Sequence, residues 1–331
     1  MNDNFQKVIK LINQSSNILI TTHTKPDGDA CGSVMAMSEA LRALGKSINP
    51  LLLSAIPSWY EFLFTEKVPV LGEDIPLDEL KAGGGSDFDL IVIVDTNSTS
   101  QLPKFDEFLK SNDKPVLVID HHVVSDGLGD VEIVDSSASA TGLIVLDLFK
   151  HAGWTITEKI AEALFVAIAT DTGWFQFSNS DSRTYRAGAE LIEAGVKPAT
   201  IYEKLYHTFS QARFKLMIAM LDTLELHFDD RYAVMQITQN DFERTGAEYN
   251  DTENLINEAQ RIGTVTTLAL FIELKDGRIR CSLRSHDGLD VSQIAAKFGG
   301  GGHKQAAGTF LPGPLENAQK LILAEITEKI D

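Results

Sequence analysis

The sequence predicts an α/β protein in two lobes: an N-terminal parallel sheet with crossover helices, a smaller C-terminal mixed α/β lobe, and a cleft between them. Three observations support this. Short β-branched runs alternate with helical patterns through the first half. After about residue 215, strand-like runs follow one another more closely. The chain has 331 residues, 44% of them apolar, enough to bury two ordinary cores.

In chain order, strands are expected at Ile18 to Thr22, Ile48 to Leu53, Leu90 to Val94 and Val116 to Ile119. Between the first two, Val34, Met37, Leu41 and Leu44 recur at helical spacing, and Gly45 follows as a stop. The cluster Gly83 to Gly85 reads as a turn. A helix is expected over about Glu158 to Thr170 and another over Ala187 to Ala194. Residues 1–190 then form the first domain, 191–214 a linker and 215–331 the second domain. In the second, Tyr232 to Thr238, Val265 to Glu273 and Arg278 to Arg284 read as strands, and Glu253 to Arg261 and Val291 to Phe298 as helices.

A formal net charge of -18 argues against long duplex nucleic acid, whose binding needs many lysines and arginines to displace counterions. Short anions remain open if cations and a local basic patch reverse the sign. Only Cys31 and Cys281 are present, so no disulfide framework or thiolate zinc pattern is expected, and a reducing cytoplasm fits. Neither a signal peptide nor a membrane span is expected, because no apolar run is long enough.

Chemistry is expected beyond the carboxyl ends of the strands, where open parallel sheets bind ligands. Thr22 to Asp29 reads T-H-T-K-P-D-G-D and crowds His23, Asp27 and Asp29 into one loop. Asp95 follows the third strand, Asp120, His121 and His122 follow the fourth, and Asp171 ends a helix beside Gly173. Singly, each has an ordinary reading as a turn, a cap or a core histidine. Together, so many carboxylates and imidazoles would suppress one another's ionisation unless cations were present. Imidazole and carboxylate without thiolate suit Mn²⁺, with Zn²⁺, Fe²⁺ and Co²⁺ also compatible. Two ions about 3.5 to 4 Å apart could share one Asp, polarise phosphoryl oxygens and align a water for in-line attack.

In order, H-T-K-P-D-G-D, V-D-T-N, D-H-H and A-T-D-T-G resemble the four signatures of the DHH phosphoesterase superfamily, over about residues 18 to 180. The later G-G-G-G-H-K-Q-A-A-G, Gly299 to Gly308, resembles the hallmark of the DHHA1 domain that follows the catalytic domain in one branch. The resemblance implies that His23, Asp27 and Asp95 hold one ion and that Asp29, Asp95, His121 and Asp171 hold the other. Asp95 would bridge. It also implies that His122 faces the scissile phosphate or the bridging water and that Asp120 orients a ligand histidine. No signature position is lost, so the resemblance implies an active enzyme.

Gly299 to Gly302 can expose successive backbone N–H groups to an anion, or form a turn after the preceding helix. The resemblance favours the first reading for Gly301 and Gly302. Lys275, Arg278, Arg280, Arg284 and His286 make a local basic region. Arg284 resembles the substrate arginine of these proteins, His303 a nucleotide contact, and Arg261 is a further candidate near a helix end. Trp174, Phe175 and Phe177 read as core rather than as a base-stacking site.

The two-domain plan resembles bacterial nanoRNases that also dephosphorylate adenosine 3',5'-bisphosphate. Short RNA oligonucleotides or small nucleotides are then the expected substrates and two Mn²⁺ ions the expected cofactors. A cyclic dinucleotide phosphodiesterase shares the plan, and a nucleotide-binding sensor is the alternative of another class. A metal-dependent pyrophosphatase shares only the first-lobe signatures. The sequence leaves a homodimer open.

Overall fold

The computed structural model describes residues 2–82, 88–207, 209–286 and 288–329, apart from the side chains of Asn2 and His303. The turn expected at Gly83 to Gly85 lies outside the described residues. The chain divides into two compact units, Met1–Thr208 and Phe209–Asp331.

In the first unit, β1 (Asn17–Thr21), β2 (Ser47–Pro50), β3 (Leu90–Val94), β4 (Val116–Asp120) and β5 (Val131–Val134) are all parallel, in the order β2-β1-β3-β4-β5. Its helices are α1 (Asn2–Gln14), α2 (Gly28–Ala43), α3 (Leu77–Lys81), α4 (Phe105–Ser111), α5 (Thr141–Ala152), α6 (Glu158–Asp171), α7 (Ser182–Glu193) and α8 (Pro198–Tyr206). Side chains alternate across a strand, and here both sides are apolar. Leu90, Val92 and Val94 of β3 join the core beneath α1, α2, α5 and α6, whereas Ile91 and Ile93 join Leu80 of α3 and Phe105 and Phe108 of α4. All five residues of β3 are buried, and burying each such side chain is worth about 1.5–3 kcal/mol. The second strand stops earlier than expected. Pro50 has no N–H to donate, and beyond it Leu52 bridges Val70 instead.

The stretch expected as a linker, 191–214, is mostly helical: it takes in the end of α7, all of α8 and the start of α9 (Gln211–Leu221). Leu191, Ile201 and Leu205 bury apolar side chains in the core of the first unit, and Leu216 and Met220 of α9 do so in the second.

The second unit holds β6 (Glu225–His227), β7 (Tyr232–Ile237), β8 (Thr267–Glu273), β9 (Arg278–Ser285), β10 (Gly301–His303) and β11 (Ala306–Pro312), in the order β10-β11-β9-β8-β7-β6. β7 and β8 are parallel and the other pairs antiparallel, making the sheet mixed. Its remaining helices are α10 (Gln239–Thr245), α11 (Val291–Lys297) and α12 (Leu315–Thr327). Instead of an α-helix over Glu253 to Arg261, the chain makes a 3₁₀ segment, Leu255–Arg261, entered through Asn254 in a left-handed conformation.

A candidate metal centre at the strand ends

The order β2-β1-β3-β4-β5 puts a topological switch between β1 and β3, because the chain leaves these neighbours in opposite directions. A crevice opens at such a switch beyond the carboxyl ends of the strands. His23 follows β1, Asp95 follows β3, and Asp120, His121 and His122 lie at the end of β4. The sheet thus delivers these residues to one place. Asp27 caps α2 by accepting a hydrogen bond from the Ala30 N–H at 3.0 Å, and Asp29 lies in that helix's first turn. Asp171 arrives as the last residue of α6.

The side chains converge. His121 Nε2 lies 3.8 Å from Asp29, 3.7 Å from Asp95 and 3.6 Å from Asp171. His23 Nε2 lies 3.4 Å from Asp95 and 3.9 Å from Asp27. Groups with ligand atoms within 4.8 Å of one another are His23–Asp27–Asp95, Asp29–His121–Asp171 and Asp95–His121–His122. Asp95 belongs to two of them and holds a left-handed φ of 63°, which an Asp tolerates better than most residues. Asp120 sits behind: its Oδ1 accepts from the His121 N–H at 2.9 Å and faces His122 Nδ1 at 2.7 Å. His121 Nδ1 faces the Ala138 carbonyl at 3.3 Å, which leaves Nε2 for the cluster.

Glycines bring the three helices together. A Cβ on Gly28 would stand 2.3 Å from Thr170 Oγ1, and one on Gly32 would stand 2.3 Å from the Ala163 carbonyl. Without them α2 and α6 could not approach closely enough to place Asp29 and Asp171 around one imidazole. The start of α5 completes the cradle. Thr141 and Gly142 donate their backbone N–H groups to Asp29 at 2.6 and 2.8 Å, and the Thr141 hydroxyl donates to Asp95 at 2.9 Å. Ser33 adds a hydroxyl to Asp29 at 3.1 Å. Asp29 therefore occupies the positive end of α5, whose own cap residue, Ala140, supplies no side-chain acceptor.

Even so, the cluster is overloaded with negative groups. Burial, with Asp29 and Asp27 nearby, pushes the Asp171 carboxyl up to about 8. Burial and the surrounding carboxylates hold Asp95 well above the ordinary range. Asp29 is raised mainly by burial, an effect that His121 and the α5 N–H groups oppose. The Asp120 hydrogen bond favours the imidazolium of His122 and raises its pKa. Three carboxyl groups, Asp29 and Asp95 buried and Asp171 half-buried, that resist ionising around shared imidazoles need positive charge. Their nitrogen and oxygen donors, without thiolate, fit divalent cations.

Thr141, Gly142 and Ser33 are contributors that the sequence reading missed. The available signal was a threonine and a glycine opening the apolar run Leu143 to Leu146. In the second unit, Arg284 lies on β9, and its guanidinium donates to the Leu283 carbonyl at 3.0 Å. Arg261 has an 81% exposed side chain and pairs with Glu258 at 3.3 Å. Gly299 to Gly302 do not present successive free N–H groups. Gly299 and Gly300 donate theirs to Ala296 and Ala295, closing α11. Gly301 and Gly302 enter the edge strand β10, which among the described residues pairs with β11 alone. The His303 side chain lies outside what is described.

Residues 17–168 match the DHH family, N-terminal domain, and residues 229–331 match the DHHA1 domain. The bifunctional oligoribonuclease and PAP phosphatase NrnA of Thermus thermophilus is 32% identical over 317 residues, covering 95% of this chain and 90% of that one. Its namesake from Bacillus subtilis is 27% identical over 310 residues, covering 92% of each. An exopolyphosphatase-related protein from Bacteroides fragilis shares the fold, with a TM-score of 0.92 at 24% identity, over 100% of this chain and 97% of that one. This chain belongs to the DHH family, in the arrangement that carries a DHHA1 domain, and is a phosphoesterase.

Proposed function

We propose that the protein hydrolyses short oligoribonucleotides to mononucleotides and removes a phosphate from adenosine 3',5'-bisphosphate, using two divalent ions, most suitably Mn²⁺. The observation that carries this reading is the convergence of Asp29, Asp95 and Asp171 on His121 Nε2, with His23 and Asp27 forming a second ligand group around the same Asp95. The names of the Thermus and Bacillus relatives support the substrate class.

His23, Asp27 and Asp95 would hold one ion, and Asp29, Asp95, His121 and Asp171 the other. When bound, the ions would polarise the phosphoryl oxygens and offset the charge that develops in the transition state. Asp120 fixes the His122 ring through Nδ1 and favours its protonated form, so His122 can donate a hydrogen bond to a phosphate oxygen. In the second unit, Arg284 would take a substrate phosphate in its guanidinium fork. The outer edge of β10, at Gly301, Gly302 and His303, would offer further donors. Arg261 would join them only if its pair with Glu258 opened. The buried free thiols of Cys31 and Cys281 suit a cytoplasmic protein. Among the described residues, no helix is long and apolar enough to cross a membrane.

The test is turnover by the purified protein, with and without Mn²⁺, on dinucleotide RNA, long RNA, adenosine bisphosphate, a cyclic dinucleotide and pyrophosphate, with Asp95→Ala as control. Mononucleotide release from the short RNA and phosphate release from the bisphosphate are expected, both abolished by the substitution. Preference for the cyclic dinucleotide would redirect the assignment. Absence of metal-dependent turnover on every substrate would leave only a binding role.

A further inference from the structure

The side chains of β9 alternate between two environments. Ile279, Cys281 and Leu283 are buried against α11 and α12. Arg278, Arg280, Ser282 and Arg284 point to the opposite face. Over β7 and β8 that face is covered, because Met235, Leu268 and Leu270 pack with Leu216 and Met220 of α9 and with the 3₁₀ segment Leu255–Arg261. Over β9 and β11 the face is partly covered: the 3₁₀ segment reaches β9, Arg280, Ser282, Arg284, Ala306 and Gly308 are half-buried, and Phe310 is exposed. The register pairs Arg284 with Ala306, Ser282 with Gly308, Arg280 with Phe310 and Arg278 with Pro312. The result is a shelf with a floor of small residues, Ser282, Ala306 and Gly308. Arginines stand along the floor, and Tyr249 rises where Arg280 reaches across to it.

The charge on this shelf is uncompensated. Among the described residues, neither Arg280 nor Arg284 has a carboxylate within 4.0 Å. Arg284 contacts only a backbone carbonyl, and Arg280 donates to the Tyr249 hydroxyl at 2.5 Å and lies 5.7 Å from that ring's centre. Burial, and then the nearby charge of Arg280, holds the Arg284 guanidinium below its ordinary value. In a chain of net charge -18, these two arginines on one strand face make a local basic surface suited to an anion. The ladder ends at Arg278, which Asp276 neutralises at 2.7 Å and which stacks on Phe310 at 5.1 Å.

We propose that this half-sheet is a subsite for one further nucleotide of single-stranded RNA, with Arg284 and Arg280 gripping successive phosphates and the Tyr249 ring stacking on the base. The inference rests on the oligoribonuclease reading and adds to it a residue set that extends grip beyond a dinucleotide. At about 3.4 Å per residue, the backbones of Arg280 and Arg284 are roughly 14 Å apart along the strand, and their long side chains can lean toward each other to hold the two phosphates of a nucleotide lying over Ser282 and Gly308. Guanidinium forks match phosphate oxygens, and a tyrosine face accepts any base, so the subsite selects charge and length rather than sequence. A duplex, whose bases are already stacked, could not use the ring. Arg278, neutralised by Asp276, adds no further phosphate grip to the subsite.

The test compares full-length wild-type, Arg280→Gln, Tyr249→Ala and Tyr249→Phe proteins. With Mn²⁺ present, kcat/KM is measured for adenosine bisphosphate and for di-, tri- and tetranucleotide RNA. For the first two variants, the trinucleotide-to-bisphosphate ratio of kcat/KM should fall about tenfold, through KM, while Tyr249→Phe keeps most of it. An unchanged ratio would overturn the proposal. In parallel, a labelled trinucleotide is titrated into each protein in EDTA and followed by fluorescence anisotropy, with inorganic polyphosphate of equal charge as competitor. If the wild type hydrolyses no RNA, the oligoribonuclease reading fails, yet weaker trinucleotide binding by Arg280→Gln and Tyr249→Ala still supports the shelf. If polyphosphate competes equally and Tyr249→Ala binds RNA as the wild type does, the face is a general anion surface and the proposal fails.

Discussion

Replacing Thr141 by Val should weaken metal binding without dismantling the site. Thr141 is fully buried at the start of α5, and its hydroxyl donates to Asp95 at 2.9 Å. Valine has the same shape and keeps the backbone N–H that Asp29 accepts at 2.6 Å, so only the support to Asp95 is lost. A hydrogen bond to an ionised acceptor is worth about 1.5–3 kcal/mol, which is about 10- to 150-fold in an equilibrium constant. Groups that support metal ligands typically contribute about 10- to 100-fold in metal affinity, which brackets the same value. Asp95 belongs to two of the three candidate ligand groups, so on the proposed two-ion arrangement the loss should be felt at both positions. The assay is turnover of dinucleotide RNA against Mn²⁺ concentration, paired with calorimetric titration of the metal-free protein. Half-saturation should move up about 10- to 100-fold, the plateau should largely recover, and Thr141→Ser should behave as wild type. If Thr141→Val shows the wild-type Mn²⁺ dependence, the Thr141 hydroxyl does not support the ion and the cradle has been misread.

Three further outcomes follow from the same geometry. A Cβ on Gly32 meets a backbone carbonyl rather than a movable side chain, so Gly32→Ala should destabilise the first unit by about 1–3 kcal/mol; thermal unfolding followed by circular dichroism checks it, and an unchanged melting temperature contradicts the packing argument. Raised carboxyl pKa values mean that the metal-free fold holds protons that the unfolded chain, with Asp near 3.8, has released. Metal-free stability should therefore fall as pH rises from about 4 to about 8, and Mn²⁺ should flatten that slope and release protons on binding; melting in EDTA across this range reads the sign. Asp120→Asn should lower the pKa of His122, because the carboxylate hydrogen bond is the leading cause of its elevation; the alkaline limb of the pH-rate profile should move to lower pH, and an unmoved limb would remove His122 from the reaction.

Strands buried on both faces announce themselves as continuous apolar runs, and for that reason Leu90 to Val94 and Val116 to Ile119 were legible almost to the residue. Elements whose signal is shared with a neighbour were not. β5 (V-E-I-V) is short and half-exposed, and α5 reads as an unpatterned apolar run because most of its faces are buried. β10 and β11 were hidden by glycine, whose presence marks a turn and a close backbone approach equally well. A Cβ on Gly300 would stand 2.2 Å from the Gly308 carbonyl and one on Gly302 would stand 2.4 Å from that of Ala306, so close approach is the reason here.

The same division holds at the site. Ligand candidates are readable when side-chain chemistry is exceptional for its place, and an Asp or His at the end of an apolar strand is exceptional. His23, Asp95 and His121 qualify. Gly142 acts through its backbone N–H and Thr141 partly so, and because every residue but proline possesses that group, a threonine and a glycine opening an apolar run are a weak signal. Arg280 illustrates the opposite failure. In sequence it is one of several charges in a basic stretch, with solvation the default reading. Only the fold, which sets it beside Tyr249 and, among the described residues, without a carboxylate within 4.0 Å, separates it from Arg278, two residues away and neutralised by Asp276. A charge becomes informative when the fold has denied it a partner, and sequence alone cannot show that denial.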